Sequence, residues 1–569
     1  MQDFFIEIFN SKIDSKNVYP NNYNLIEFEG IKIAYPKEQI SFLKKNDNII
    51  LSCITEKDKA NLLKKYNFLY NKNTDSEILF ELYKNYKNKS FEFFSNKFLF
   101  FKFNLNSKNF IIARDKIGFN SVYYLQKNES IIISSHIKSI LDNANSQLQV
   151  NKGMVAKFLK LNPFSDHETF FKDVFKVSPS SYLFKKNNYL GQNKYKRFSK
   201  TEFKNSKLEQ ISGLKKTLRN AILRKDEDKN EKIGFLFSGG LDSSTIISFY
   251  NKFNFSKKDL FAYSATYSHL KKSILRQVDE EEFQKEITNN ANIIDRSFKT
   301  KNLSTLSKLD FFLKIIGQPF IFPNLYICDE AFQNARNDNV KKMFNGSDGD
   351  TVISHGYEYF GELFLTLRWI KLYYSIKKLS ENLNLSKKDI FRRAVLNLIF
   401  YNKKIYFSAK EKHKAILSSP IHSYAIEIQS VIANYHGIDE VYPFYDMDVI
   451  NFCTNVNPKF KIDKFTRSIL REVVKGIVPE KIRKRTDKAN IGHALVHNFL
   501  NRDKEIIEKN IQNPHEIINE ITDISKIRDS WSKFLINPHK YSGSDNTVLK
   551  IFAFVVMNRW LEINTIKNT

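Results

Sequence analysis

A chain of 569 residues is too long for one hydrophobic core and suggests about two to four domains. Hydrophobic residues make up 42%, with 51 Phe and 27 Tyr, enough to fill packed interiors, which excludes a chain disordered throughout. The net charge of +28 would suit an anionic partner, but the basic residues are spread in pairs, Lys, Asn, Ile and Phe are abundant together, and no motif of a nucleic-acid-binding module occurs, so nucleic acid is not the expected partner.

Residues 1–150 alternate short apolar runs with polar turns, among them Ile49–Leu51, Phe98–Phe103, Phe110–Ile112 and Ile131–Ile133, the pattern of a sheet-rich domain. Between them lies RDKIGFNSVYY, Arg114–Tyr124, a charged turn closed by Gly118 and expected as a hairpin. His167 stands between Asp166 and Glu168, but no second ligand cluster accompanies it, so a solvated turn is expected rather than a metal site. The stretch Gln192 to Ser206, rich in Lys and Asn, is the linker candidate. Beyond it Leu208, Ile211, Leu214, Leu218, Ala221 and Ile222 fall at helical spacing.

Lys232–Tyr250 reads KIGFLFSGGLDSSTIISFY. Ile233–Phe237 is a short apolar run without helical spacing, as in a buried parallel strand. Ser238-Gly239-Gly240 is a turn poor in Cβ atoms, and Asp242, Ser243 and Ser244 are capping residues ahead of the stripe Ile246, Ile247, Phe249 and Tyr250. A strand, a glycine turn and a helix N-terminus together bind anions, because unpaired N–H groups and the positive end of the helix dipole point into the turn. No Lys follows the glycines, so this is not a GxxxxGKS or GxxxxGKT loop; instead Asp242 lies inside the turn, where a carboxylate can hold magnesium against phosphates.

Phe261–Thr266 reads as the next strand, and Asp279-Glu280-Glu281-Glu282 as the acidic opening of a helix. Val340 to Asp350 is a strand followed by a glycine-punctuated loop with two acids, a plausible second phosphate and metal cradle. Residues 362–430 carry helical aromatic and leucine stripes. Tyr442-Pro443-Phe444-Tyr445-Asp446 reads as a structural corner, Thr466 to Asn490 as two short helices and a basic loop, and Phe552–Leu561 as a closing helix. Cys53, Cys328 and Cys453 stand far apart with no CxxC, so neither a disulfide framework nor a zinc site is expected, and a reducing, cytoplasmic location follows. No signal-like N-terminus and no apolar run of membrane-spanning length is present, so the expectation is a soluble chain without a membrane partner.

SGGLDSS, Ser238–Ser244, resembles the pyrophosphate loop of the asparagine synthetase family and its ATP-pyrophosphatase relatives, which cut ATP between the α and β phosphates and release pyrophosphate. Arg114–Tyr124 and Ser134–Lys138 resemble the RDxxGxxPLYY and SEIK segments of that family's glutaminase-type domain, with departures at Ser121, Val122 and His136, and Phe164–Phe171 resembles the segment before its last strands. Asn345–Asp350 resembles SGxGGDE or SGEGSDE, Tyr442–Asp446 resembles YPFLD, and Thr466–Lys488 resembles TRxxLRxxxxGxLPExIxxRxK with one extra residue before the Lys.

The resemblance implies an α+β, Ntn-type glutaminase-like sandwich over residues 1–200, followed by an α/β ATP-pyrophosphatase domain with a parallel sheet over 207–569. It implies ATP contacts from Phe237, Ser238, Gly239, Gly240, Asp242, Ser243, Ser244, Ala265, Asn345 and Gly346, with Mg2+ held by Asp242 and Asp350. Asp279 and Glu280 would lie near the nucleotide pocket, and Lys488 would stabilise the charge that develops in acyl transfer. Where asparagine synthetase has a Glu, Ser347 cannot serve as a carboxylate base; Asp348 beside it could compensate. Glutamine-hydrolysing members carry Cys after Met, and here Gln2 cannot act as nucleophile, while Cys53 has the apolar setting of an inert thiol.

The glutaminase-like half is therefore expected to be structural, as in relatives that make β-lactams or close lasso peptides, where the attacking amine belongs to the substrate. The expected activity is an ATP- and Mg2+-dependent ligase that adenylates a small-molecule or peptide carboxylate for attack by an amine. Two alternatives stay open: an asparagine synthetase using aspartate and ammonia, and a non-catalytic nucleic-acid-binding relative exploiting the +28 charge. A homodimer is also left open.

Overall fold

In the computed structural model the described residues are 4–9, 23–36, 39–55, 58–62, 74–127, 130–144, 148–199, 206–223, 232–253, 258–289, 293–400, 404–487, 489–541 and 546–565. The apolar runs of the N-terminal half form twelve strands: β1 Phe5–Ile8, β2 Tyr23–Phe28, β3 Ile31–Pro36, β4 Ser41–Lys45, β5 Asn48–Ile54 and β6 Phe98–Asn104, then β7 Phe110–Arg114, β8 Tyr123–Lys127, β9 Ser130–Ser134, β10 Val174–Lys176, β11 Ser181–Lys186 and β12 Tyr189–Lys194. They make two six-stranded antiparallel sheets, ordered β10-β8-β9-β1-β3-β2 and β12-β11-β7-β6-β5-β4. Ile6, Ile33 and Ile133 of the first sheet meet Leu51, Phe101 and Ile112 of the second between the layers.

The outer faces are covered too, which is why β5, β6 and β9 read as unbroken apolar runs rather than alternating ones. The helix Asp75–Tyr86, started by a Thr74–Glu77 capping box, lays Ile78, Leu79 and Leu82 on Ile50, Phe98 and Phe100. Phe5, Leu125 and Ile132 on the other outer face join Phe552, Trp560 and Leu561 of the closing helix Thr547–Thr565 in one core. The two halves also share buried polar contacts: Gln318 Nε2 donates to Tyr123 Oη (3.1 Å) and to Glu427 Oε1 (2.6 Å).

The C-terminal half is built on five parallel strands, β13 Ile233–Leu236, β14 Leu260–Thr266, β15 Ile293–Lys299, β16 Lys342–Asn345 and β17 Asp439–Val441, in the order β15-β14-β13-β16-β17. The chain runs outward from β13 on one side and returns to β16 on the other. The strand order thus reverses between β13 and β16, and the crevice beyond their carboxyl ends is where open α/β sheets bind ligands. Among the described residues no helix is long and apolar enough to cross a membrane.

Three expectations are corrected. Arg114–Tyr124 is not a hairpin: β7 and β8 belong to different sheets, and the segment carries the chain between them. Asp115 drives this by accepting from the N–H groups of Ile117 (3.1 Å), Gly118 (2.6 Å), Phe119 (3.0 Å) and Asn120 (3.0 Å), while Gly118 takes φ +90°. The linker stretch begins inside β12, and Ser199 is docked by Asn451 and Asn455. In the helix Lys207–Leu223, Leu208 is 78% exposed and Gln210 is buried instead, its Oε1 accepting from Asn457 N at 3.0 Å.

Candidate active site

Buried Phe237 follows β13, its N–H donating to Tyr263 O at 3.0 Å, and the helix Leu241–Phe253 begins four residues later. Gly239 has φ +84°, and a Cβ there would stand 3.2 Å from both Glu280 O and Gln284 N. The start of the acidic helix Glu281–Thr288 therefore presses on the turn. Ser243 Oγ lies 3.2 Å from Ser238 Oγ and 3.3 Å from Ser238 N, and Gly240 N donates to Ser238 Oγ at 3.2 Å. Ser238 is exposed, whereas Ser244 is fully buried, its N–H committed to Gly240 O. Gln284 Nε2 bridges Ser238 O (3.3 Å) and Ala265 O (3.4 Å), tying the ends of β13 and β14 together.

The second loop follows β16, the neighbouring strand. Gly346 lets its backbone approach the first loop, since a Cβ there would lie 2.9 Å from Ser243 N and Cα. Gly349 does the same against Asp242, with a Cβ position 2.8 Å from Asp242 Cγ. The two glycine loops are thus packed backbone to backbone. Asn345 is a buried brace: its Oδ1 accepts from Ser347 N (2.8 Å) and Oγ (2.7 Å), and its Nδ2 donates to Glu440 Oε1 (3.1 Å). Burial pushes the Glu440 carboxyl up to about 7, against the hydrogen bonds from Tyr442, Asn345 and Gln429 that favour its charged form.

Asp348 adopts φ +57°, a conformation Asp tolerates, just before the short helix Gly349–Ile353. Its Oδ2 accepts from the Tyr445 hydroxyl and stands 3.4 Å from His422 Nδ1, and Tyr445 Oη lies 3.0 Å from the same His nitrogen. Burial, followed by the Asp348 charge, raises the Tyr445 phenol well above its ordinary range. Asp350 is in the first helical turn, with His355 Nε2 at 3.6 Å. Asp446 is the corner residue expected: it caps the helix Met447–Asn455 by accepting from Asp448 N at 2.9 Å.

The basic C-terminal segment reaches the same crevice. Arg467 Nη1 donates to Asp242 Oδ2 at 2.6 Å, a contact 225 residues apart in sequence. Arg485 Nη1 donates to Glu280 Oε1 at 2.6 Å and its guanidinium lies 4.0 Å from the Phe283 ring centroid. Lys488 and Gln2 lie outside the described residues. Sequence reasoning did not single out Gln284, His422, Glu440 or the ion-pair roles of Arg467 and Arg485. The only advance signal was that both arginines stand in motifs already marked as basic.

Among the described residues no group of three or more His, Cys, Asp or Glu side chains could hold a metal ion. Gly349 nevertheless packs against Asp242, so Asp242 and Asp350, the residue after Gly349, are the carboxylates that would hold a magnesium ion here.

The asparagine synthase family model matches residues 213–562, more than half of the chain. The chain belongs to the asparagine synthase family. In this family member a glutamine amidotransferase domain model matches residues 57–196, in agreement with the N-terminal pair of sheets. Asparagine synthetase [glutamine-hydrolyzing] 1 of Bacillus subtilis is 27% identical over 194 residues, covering 34% of this chain and 30% of the relative. A putative asparagine synthetase [glutamine-hydrolyzing] 2 of Methanocaldococcus jannaschii is 26% identical over 246 residues, covering 42% and 46%. The matches therefore span less than half the length of these curated relatives. Among solved structures, glutamine phosphoribosylpyrophosphate amidotransferase from B. subtilis gives a TM-score of 0.22 at 11% identity, covering 37% of this chain and 47% of that one.

Proposed function

We propose that this asparagine synthase family member is an ATP-dependent amide ligase. A carboxylate oxygen of the substrate attacks the α phosphorus of ATP, the bond to the β phosphate breaks, and pyrophosphate leaves. An amine nitrogen then attacks the acyl carbon of the adenylate, loses a proton, and AMP departs. The observation that carries this reading is the backbone contact between the two glycine loops at the ends of adjacent parallel strands, β13 and β16.

Ser238, Gly239, Gly240, Ser243 and the helix N-terminus hold the pyrophosphate part, with Phe237 and Ala265 at the strand ends beside the nucleotide. Ser244, Asn345 and Gly346 act through the backbone and the fit of the loops. Asp242 and Asp350 hold Mg2+, which supplies charge neutralisation at the phosphates. Arg467 keeps the Asp242 carboxylate oriented. Lys488 stabilises the charge of acyl transfer, and Asp348, backed by Tyr445 and His422, takes the proton released by the amine. The amine comes with the substrate: Cys53, the thiol of the N-terminal sheets, is 2% exposed in their core and out of reach of glutamine.

The test is carboxylate-dependent ATP–pyrophosphate exchange by Asp242→Asn. A fall of at least about a hundredfold is expected from removing one fixed charge at the phosphates. Exchange equal to wild type would overturn the mechanism. Asparagine made from aspartate, ammonium and ATP by the pure protein would instead favour the simple synthetase, and tight, salt-sensitive RNA binding without AMP formation the non-catalytic alternative.

A further inference from the structure

Beside the second loop opens a cavity of about 730 Å³, whose wall includes Asp348 and His422 on one side and Lys404, Tyr406 and Lys412 as well. We propose that it binds a bipolar substrate, an amine carrying an anionic group at the far end of an apolar spacer. Lys412 is only 8% exposed, and its ammonium lies 5.2 Å from the Tyr406 ring centroid; the Lys404 ammonium lies 5.4 Å from the same ring. Among the described residues neither ammonium has a hydrogen bond or an ion pair. The carboxylate whose field reaches Lys412, that of Glu358, accepts a hydrogen bond from Ser354 at 2.5 Å.

Two like charges around one ring repel, and desolvation disfavours the charged form of Lys412, which burial holds below its ordinary range. An incoming anion would relieve both costs. Asp348 gives the same cavity an acidic side, where an ammonium or amine is favoured. Ile416 and Ile421 also line it and add apolar surface. The volume falls in the roughly 300–1,000 Å³ range of pockets that enclose drug-sized ligands, more room than one amino acid needs. A peptide or a long amino acid has this chemistry. That the amine end is the reacting end rests on the ligase reading; the bipolar fit does not.

The experiment is calorimetry on the full chain without ATP. The probes are straight-chain amino acids with the amine at the far end, aminohexanoate, aminooctanoate and aminododecanoate, against the alkylamine and the fatty acid of each length. An aminoalkyl phosphate arm tells carboxylate from phosphate recognition by which of the two binds more tightly. At the best length the amino acid is expected to bind at least about tenfold tighter than either control, a modest return for two matched charges. Lys412→Met and Lys404→Gln should each reduce that preference at least about threefold and leave alkylamine binding unchanged. Lys404 is exposed, so its variant keeps the test decisive if Lys412→Met does not fold. Equal binding of amino acid and alkylamine to wild type, or an unaltered preference in a folded Lys404→Gln, would overturn the proposal. Loss of ATP–pyrophosphate exchange activity with the preference intact would count against the ligase reading alone.

Discussion

Asp115 and Asp348 each follow the end of a strand, β7 in the N-terminal sheets and β16 in the parallel sheet, and their surroundings could hardly differ more. Asp115 is 0% exposed and its carboxylate is consumed by four backbone N–H groups of its own turn. Asp348 is half-buried, its carboxylate meets the ionisable side chains Tyr445 and His422, and it opens on a cavity. A carboxylate satisfied by backbone is a part of the scaffold, because no ligand can displace those donors without unfolding the turn. One held by a phenol and an imidazole can exchange a proton and still keep its place. Asp115 thus serves shape and docking, whereas Asp348 faces an opening.

Asp115→Ala should break that contrast hardest. It strands four backbone donors, three of them in buried bonds, so urea unfolding should report a loss of at least about 3 kcal/mol. Asp348→Asn should do the reverse, lowering amide formation at least about a hundredfold while stability moves by less than about 1 kcal/mol. A strong stability loss there with normal turnover would make Asp348 structural as well. Gly346→Ala places a methyl group 2.9 Å from the backbone of Ser243, and about 2 kcal/mol of destabilisation with weaker ATP binding is expected, read by thermal melts with and without nucleotide.

The smallest effect concerns pH. Burial raises the Glu440 carboxyl from 4.5 to about 7, so the fold holds a proton that the unfolded chain releases between those values. Its contribution to stability is full below 4.5 and is lost as pH rises through about 7. Melting temperatures across this window should fall less steeply in Glu440→Gln than in wild type; parallel slopes would show that Glu440 is not the group responsible.

The first loop was legible because its signals are local. A buried apolar run, Ser238-Gly239-Gly240 and an apolar stripe specify a strand, a turn and a helix within nineteen residues, Lys232 to Tyr250, although the helix starts at Leu241, so that Asp242, Ser243 and Ser244 lie inside its first turn and do not cap it. The hairpin expected at Gly118 failed for the opposite reason. Its residues do form a turn, but which sheet receives the next strand depends on where β8 finds partners, and those are β9 and β10, not β7. Leu208 falls at the same helical spacing as Leu214 and Leu218 yet is exposed; the helix presents Gln210 inward because Asn457 offers a hydrogen bond there.

By itself the sequence determined the chemistry available in this family member: which turns carry glycine, which loops carry carboxylates, and that a parallel sheet with an anion-binding loop follows a sheet-rich region. Only the tertiary structure decided which of these groups meet. Arg467 reaches Asp242, Tyr445 and His422 reach Asp348, and Lys404 and Lys412 share one tyrosine ring. Backbone conformation is set mainly by neighbouring residues, whereas these pairings depend on the order of strands in the sheet and on the close approach that Gly346 and Gly349 permit, and no local pattern encodes either.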